Sequence, residues 1–270
     1  MTDTVHRLPS AHPEALPPEA GALIFGRYAF PPNDLGYCGP DRAGELLERV
    51  SAGASGPGLE EVARAFEGAW PYLELIGECL GRAPLDPVVV EAYWLGGPVL
   101  DHCGGAAFVR SLEERFRPRL TRLAFERLVA AVANGGTPHH NFHVFAVYPW
   151  VGLLRHGHVD GPLTVLDKCR IRGAQVLVVE GDHAVVESRH LQWDGHMLSL
   201  APPTAETVRL RRDGLSLAPE VRPGDFVTLH WDWVCDWIGS TRLARLRQAT
   251  AQELAAVNAC TYSAPAAVLS

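Results

Sequence analysis

The sequence contains no apolar run of the roughly 18 residues that a helix needs to cross a bilayer, so no membrane span is expected. It has no C-x-x-C pair, which removes the common zinc-ribbon and dithiol-redox frameworks. Its two methionines are too few for a pliable methionine-rich recognition groove. Positive charge is scarce, with a formal net charge of −7 and no basic stripe interleaved with aromatics. Nucleic acid is therefore not an expected partner. No G-x-S-x-G element, phosphate-binding glycine loop or H-E-x-x-H pair occurs. The first residues carry Asp3 and several prolines without an apolar stretch, unlike a secretory signal, so a cytoplasmic location is expected. The six cysteines, at 38, 79, 103, 169, 235 and 260, are scattered and are expected to be free thiols.

What is present fits a globular protein of one large or two modest domains: 270 residues, 47% of them hydrophobic and 20% charged. Residues 1–20, rich in Pro, His and Ala, read as a flexible tail. Residues 21–160 read as a mainly α-helical domain with a His-rich segment. Leu59, Val62, Ala63, Phe66, Trp70 and Leu73 recur at helical spacing, with Pro71 breaking or kinking the run. Asp86-Pro87, followed by Val88 to Leu95 and Gly96, has an N-cap, a first-turn proline and a terminal glycine. A helix from Pro118 is expected to end at Asn134-Gly135-Gly136. Phe142 to Leu154 reads as a buried strand or a core helix segment. Beyond residue 161, β-type runs alternate with turns at Glu180-Gly181-Asp182, Trp193-Asp194-Gly195, Arg212-Asp213-Gly214 and Pro223-Gly224-Asp225, a pattern of short hairpins. Thr250-Ala251-Gln252-Glu253 has the form of a capping box for a closing helix. The fold class expected is α+β: an α-helical N-terminal domain plus a small OB-like β-barrel over 161–270 with a closing C-terminal helix.

The stretch from Cys169-Arg170-Ile171-Arg172-Gly173-Ala174-Gln175-Val176 to Val221-Arg222-Pro223-Gly224-Asp225-Phe226-Val227-Thr228-Leu229-His230 carries a likeness to a known family. Over roughly residues 167–260 it resembles the small assembly chaperones of nickel–iron hydrogenases, with Cys169 on the family cysteine and His230 on the family histidine. The family cysteine is terminal, whereas Cys169 is internal. The family proline near Gly173 is missing, and Ser240–Ala249 looks like an insertion before the final helix. The whole chain also looks like an uncharacterised bacterial family associated with hydrogenase gene clusters. The resemblance implies an accessory protein for hydrogenase maturation or assembly. It would dock on a large-subunit precursor or a scaffold protein, with Cys169 and His230 holding an iron that carries diatomic ligands.

Read from the residues alone, Cys169 lies among Lys168, Arg170 and Arg172, whose charges would favour thiolate. The alternative is a cysteine packed as a small hydrophobe. His230 leads into Trp231-Asp232-Trp233, where Asp232 could fix the imidazole tautomer. Trp231, Trp233 and Trp237 are candidates for a partner-binding rim, or for core. In His139-His140-Asn141-Phe142-His143, residues 139 and 143 share a helix face as zinc ligands can. The cluster is expected at the seam between domains, with at least two rings facing one cavity and Asp101 or Asp160 behind them. This supports a rival reading, a metal- or cofactor-dependent enzyme using His139, His140 and His143. The plainer alternatives are imidazoles hydrogen-bonded within the seam and a structural adaptor without metal.

Overall fold

The computed structural model describes residues 20–262, so the tail expected over 1–20 lies outside the described residues up to its last one. The first half is helical: α1 (Ala20–Asp34), α2 (Ala43–Ser51), α3 (Pro57–Arg64), α4 (Trp70–Leu80), α5 (Pro87–Leu95), α6 (Gly105–Phe116) and α7 (Arg122–Ala133). The start of α5 follows from its sequence. The Asp86 carboxylate accepts from the Val88 amide at 2.8 Å, Pro87 opens the helix, and Gly96 leaves it with φ of 75°. The periodic run from Leu59 to Leu73 is two helices rather than one. Pro71 sits in the first turn of α4, where its missing N–H has no intrahelical partner to lose. Leu59, Val62 and Leu73 still reach one core, with Phe25, Tyr28 and Phe30 of α1.

The stretch 142–154 is helical and not a strand. A single turn, α8 (His140–Phe142), widens into a π-helical turn over His143–Val147, and α9 (Trp150–Arg155) follows. Next comes α10 (Asp160–Cys169). Cys169 therefore closes a helix instead of opening the first strand, because the helical Asp167–Arg170 ion pair at i, i+3 carries the turn past it.

The strands are β1 (Arg172–Glu180), β2 (His183–Trp193), β3 (Leu198–Arg209), β4 (Arg211–Arg212), β5 (Leu215–Ser216), β6 (Phe226–His230) and β7 (Trp233–Trp237). The expected turns are all in place. Asp213 and Gly214, with φ of 53° and 79°, make the tight hairpin between β4 and β5. β1 pairs antiparallel with both β2 and β6, β2 with β3, and β6 with β7. β3 and β7 meet at one parallel pair, Arg209 with Trp233. The protein is thus α+β, with a coiled five-stranded sheet whose outer strands touch at a single pair rather than along a continuous ladder. His230 ends the penultimate strand, not the last. Ala174, Val176, Val186, Val208, Val227 and Val234 fill the inside of the sheet.

The final helix, α11 (Ser240–Tyr262), begins ten residues before the expected box. Ser240–Ala249 is its first half. Thr250 donates to the Leu246 carbonyl at 2.8 Å, and Glu253 accepts from the Thr137 hydroxyl at 2.6 Å, so neither residue caps anything. A Cβ at Gly173 would stand 2.4 Å from Leu243 of this helix, which accounts for a glycine where helix and strand cross. Among the described residues no helix is long and apolar enough to cross a membrane.

Candidate metal centre

Three donors from three distant segments meet where the helical half abuts the sheet. His140 begins α8, Cys169 ends α10 and His230 ends β6, and their ligand atoms all lie within 4.8 Å of one another. All three residues are buried. Backbone ties between their chain neighbours fix the convergence. The Trp231 amide donates to the Lys168 carbonyl at 2.7 Å, joining the His230 and Cys169 segments. The Ile171 amide donates to Asn141 Oδ1 at 3.1 Å, joining the Cys169 and His140 segments, and Asn141 Nδ2 donates in turn to Thr250 of α11 at 3.1 Å. Asp167 anchors α10 to β2 by accepting from the Leu191 amide at 2.8 Å, while Arg170 donates to Asp167 and to the Arg189 carbonyl. Asn141 had no signature in the sequence beyond its place among the histidines.

Hydrogen bonds set the tautomers. His230 Nδ1 donates to the Tyr28 carbonyl of α1 at 2.6 Å. Its Nε2 keeps a lone pair, is buried, and has no partner. His140 Nε2 donates to the Cys169 carbonyl at 2.9 Å, which leaves Nδ1 to accept from the Tyr93 hydroxyl at 3.2 Å. Carbonyls thus take the place expected for carboxylates, and an ion at His140 would displace the Tyr93 hydroxyl from Nδ1. Asp232 instead pairs with Lys168 at 2.7 Å. Burial lowers both imidazole pKa values, His140 to about 4 and His230 well below its ordinary value, with His140 beside it adding to the effect. Both rings are neutral at physiological pH. Burial also pushes the Cys169 thiol well up, and Cys38 adds to the shift. The cations flanking Cys169 do not make it a thiolate, because each is engaged elsewhere. Arg170 pairs with Asp167. Arg172 pairs with Glu206 and donates to the Trp231 carbonyl at 2.7 Å.

The triad opens onto a cavity of about 150 Å³ whose walls include Phe66, Tyr93, Trp94, Tyr148 and Trp150. No carboxylate is among its lining residues. Two imidazole nitrogens and a sulfur without oxygen donors suit a borderline or soft ion such as zinc or ferrous iron, and disfavour magnesium or calcium. Tetrahedral ligands at 2.0–2.3 Å from an ion stand about 3.3–3.8 Å apart. Donors gathered within 4.8 Å need only a small contraction to reach that spacing.

The five expected metal residues therefore divide. Cys169, His230 and His140 come together, and His143 lines the same cavity but stands outside the cluster, with its Nδ1 3.1 Å from the Tyr72 hydroxyl. His139 caps α8 by accepting from the Asn141 amide at 3.0 Å and does not line the cavity. Two rings of the His-rich segment do face one cavity, but not the pair that shares a helix face by spacing. The tryptophans do not form an exposed rim. Trp231 and Trp233 are buried, Trp231 stacked on Tyr37 and Trp233 edge-on to Phe30, while Trp237 is half-buried against the sheet interior.

Over residues 17–264 the chain matches the family described as "Family of unknown function (DUF6390)", and it belongs to that family. No curated protein and no solved structure matches it.

Proposed function

We propose that this member of the DUF6390 family is a metal-binding accessory protein for nickel–iron hydrogenase maturation, in which His140, Cys169 and His230 hold an iron cargo. One observation supports this above the rest. Cys169 and His230, singled out together by the likeness to the hydrogenase chaperones, lie far apart in sequence yet converge on one buried point, where a third donor joins them. On this reading the coiled sheet is the OB-like barrel of those chaperones, and the cytoplasm is the compartment. The partner is a large-subunit precursor or a maturation scaffold. Neutral imidazoles and a thiol that loses its proton on binding are ligands for an iron whose remaining positions carry diatomic groups. Those groups would occupy the cavity with its aromatic walls.

The rival enzyme reading drew on His139, His140 and His143 as one set, and only His140 of the three is in the cluster. Metal analysis of anaerobically purified protein separates the two. Iron retained by the wild type and lost in Cys169→Ala and His230→Ala supports the carrier. A metal that survives those changes and is lost in His139→Ala or His143→Ala supports the enzyme. In cells that make a nickel–iron hydrogenase, deleting the gene should lower mature hydrogenase. Unchanged maturation with a metal-free wild type would refute the proposal.

A further inference from the structure

The three donors leave a tetrahedral ion one ligand short, and the same cavity has a second thiol in its wall. That thiol is Cys38, on the loop between α1 and α2. We propose that Cys38 is the fourth ligand of this site, a displaceable thiolate carried on a loop, so that the closed centre is Cys2His2. The inference rests on the metal-binding reading above and describes the centre when the ion carries no diatomic groups, with Cys38 in the position such a group would otherwise take.

The loop is built to hold this side chain against the cavity. Gly36 and Gly39 flank it with φ of 73° and 83°, the left-handed region that favours glycine. A Cβ at Gly39 would lie 2.4 Å from the Phe66 ring, so only glycine lets the loop settle there. Asn33 Nδ2 donates both to the Cys38 carbonyl at 2.8 Å and to the Pro40 carbonyl at 2.6 Å, and the Tyr37 amide donates to the Pro32 carbonyl at 2.9 Å, fixing the backbone on either side of the thiol. Tyr37 stacks on Trp231, next to His230, with centroids 4.4 Å apart. The Cys38 sulfur is not one of the three atoms gathered within 4.8 Å, so with its backbone held it joins them by turning about its own Cα–Cβ bond. The buried Nε2 of His230, which lines this cavity without a hydrogen-bond partner, is an independent observation that points to a ligand here.

Charge supports the assignment. A divalent ion with two neutral imidazoles and one thiolate leaves a net charge of +1 in an apolar cavity, with the Arg172 guanidinium bound to the next carbonyl along from His230. Buried net charge is costly. A second thiolate brings the centre to neutrality, and for a borderline ion sulfur is preferred over the phenols of Tyr37, Tyr93 and Tyr148 that share the wall. The reaction balances as one divalent ion and two thiols giving one dithiolate complex and two protons, which pass to the buffer. A ligand whose sulfur stands outside the resting cluster can also leave, as a centre that passes its cargo on requires.

The test is anaerobic titration of the full-length protein with cobalt(II) as a spectroscopic probe, repeated with zinc(II) in competition. The wild type should bind one ion with the charge-transfer absorption of two thiolates. Cys38→Ser and Cys169→Ser should each show about half that intensity and at least tenfold weaker affinity. In the zinc-loaded wild type, X-ray absorption at the zinc edge should count two sulfur ligands rather than one, a readout that does not depend on any variant folding. Cobalt bound by the wild type with one thiolate, unaffected by Cys38→Ser, would overturn this inference and leave the metal-binding reading standing. Loss of the fourth ligand in His143→Gln, with Cys38→Ser silent, would overturn it in the same way. A wild type that binds neither ion would overturn both.

Discussion

Metal loading should be coupled to protons from thiols and not from histidines, with a measurable slope. His140 is held at about 4 by burial, and His230 lies well below its ordinary value. Neither ring has a proton to lose between pH 5.5 and 8. Cys169 is raised by burial and Cys38 is pushed up to about 12 by the same cause, so each thiol stays protonated across that window. Every thiolate formed on binding therefore releases one proton, and affinity climbs as pH rises. The rise is one decade, about 1.4 kcal/mol, per pH unit for each thiol displaced. Cys169 alone gives one decade per unit, and Cys169 with Cys38 gives two. The assay is zinc affinity by competition with a chromophoric chelator at half-unit pH steps, corrected for the chelator's own protonation. A straight line through pH 6.5 is expected. An affinity that rises below pH 6.5 and levels off above it would mean that ordinary, solvent-exposed histidines limit binding, and would refute the reasoning.

Cys169→Ser should weaken metal binding at least tenfold while costing only about 1–2 kcal/mol of stability, read by urea denaturation of the metal-free protein; a much larger loss would make the residue structural. Arg172→Met should cost about 1–3 kcal/mol, because the Glu206 carboxylate loses Arg172 and the Trp231 carbonyl loses its donor, while Lys168 and the Ser188 hydroxyl still hold Glu206; a variant as stable as the wild type in urea denaturation would contradict this. Glu253→Gln should be more stable than the wild type by roughly 2–3 kcal/mol at pH 7 and about equal at pH 4.5. Burial raises the Glu253 carboxyl from 4.5 to about 8, so the wild type loses stability as pH rises between those values, and the amide has no such window. Parallel stability–pH curves for the two proteins would refute it.

The parts of the fold legible in the sequence are those fixed by local chemistry. Asp86-Pro87 and Asp213-Gly214 carry their conformations with them, and each occurs where its residues require. The closing helix shows the limit of such signals. A Thr–Glu pair three apart suits a capping box, but Thr250 can equally donate to the carbonyl four residues back, and packing of Leu243 and Leu246 against the core decides for a helix that begins earlier. At Cys169, alternation of cationic and apolar residues looks like a strand, yet the ion pair to Asp167 rewards one more helical turn. The site was half legible. Spacing pointed to His139 and His143 as a pair on one face, whereas the ring that joins the cluster is His140, which lies between them. Its partners come from 29 and 90 residues further on, a distance that no local periodicity reports.

A division of the chain into a helical domain and a separate sheet domain is hard to reconcile with the way the site is held. His140 belongs to the helical half and His230 to the sheet, and the bond that sets the His230 tautomer ends on the Tyr28 carbonyl of α1. The Tyr28 hydroxyl in turn lies 2.9 Å from Thr228 Oγ1 on the same strand. Arg27, one residue earlier, reaches Asp236 of β7 at 2.8 Å. Residues 167–260 on their own would lack His140 and the acceptor that fixes the His230 ring, and Cys169 would lose the Asn141 tie beside it. The centre therefore exists only when both halves are packed together, and an ion bound there stabilises the docking of one half on the other in proportion to its affinity. Release of the ion and loosening of this seam are then two readings of one equilibrium, and a partner that pries α1 from the sheet would lower the affinity for metal by the same free energy.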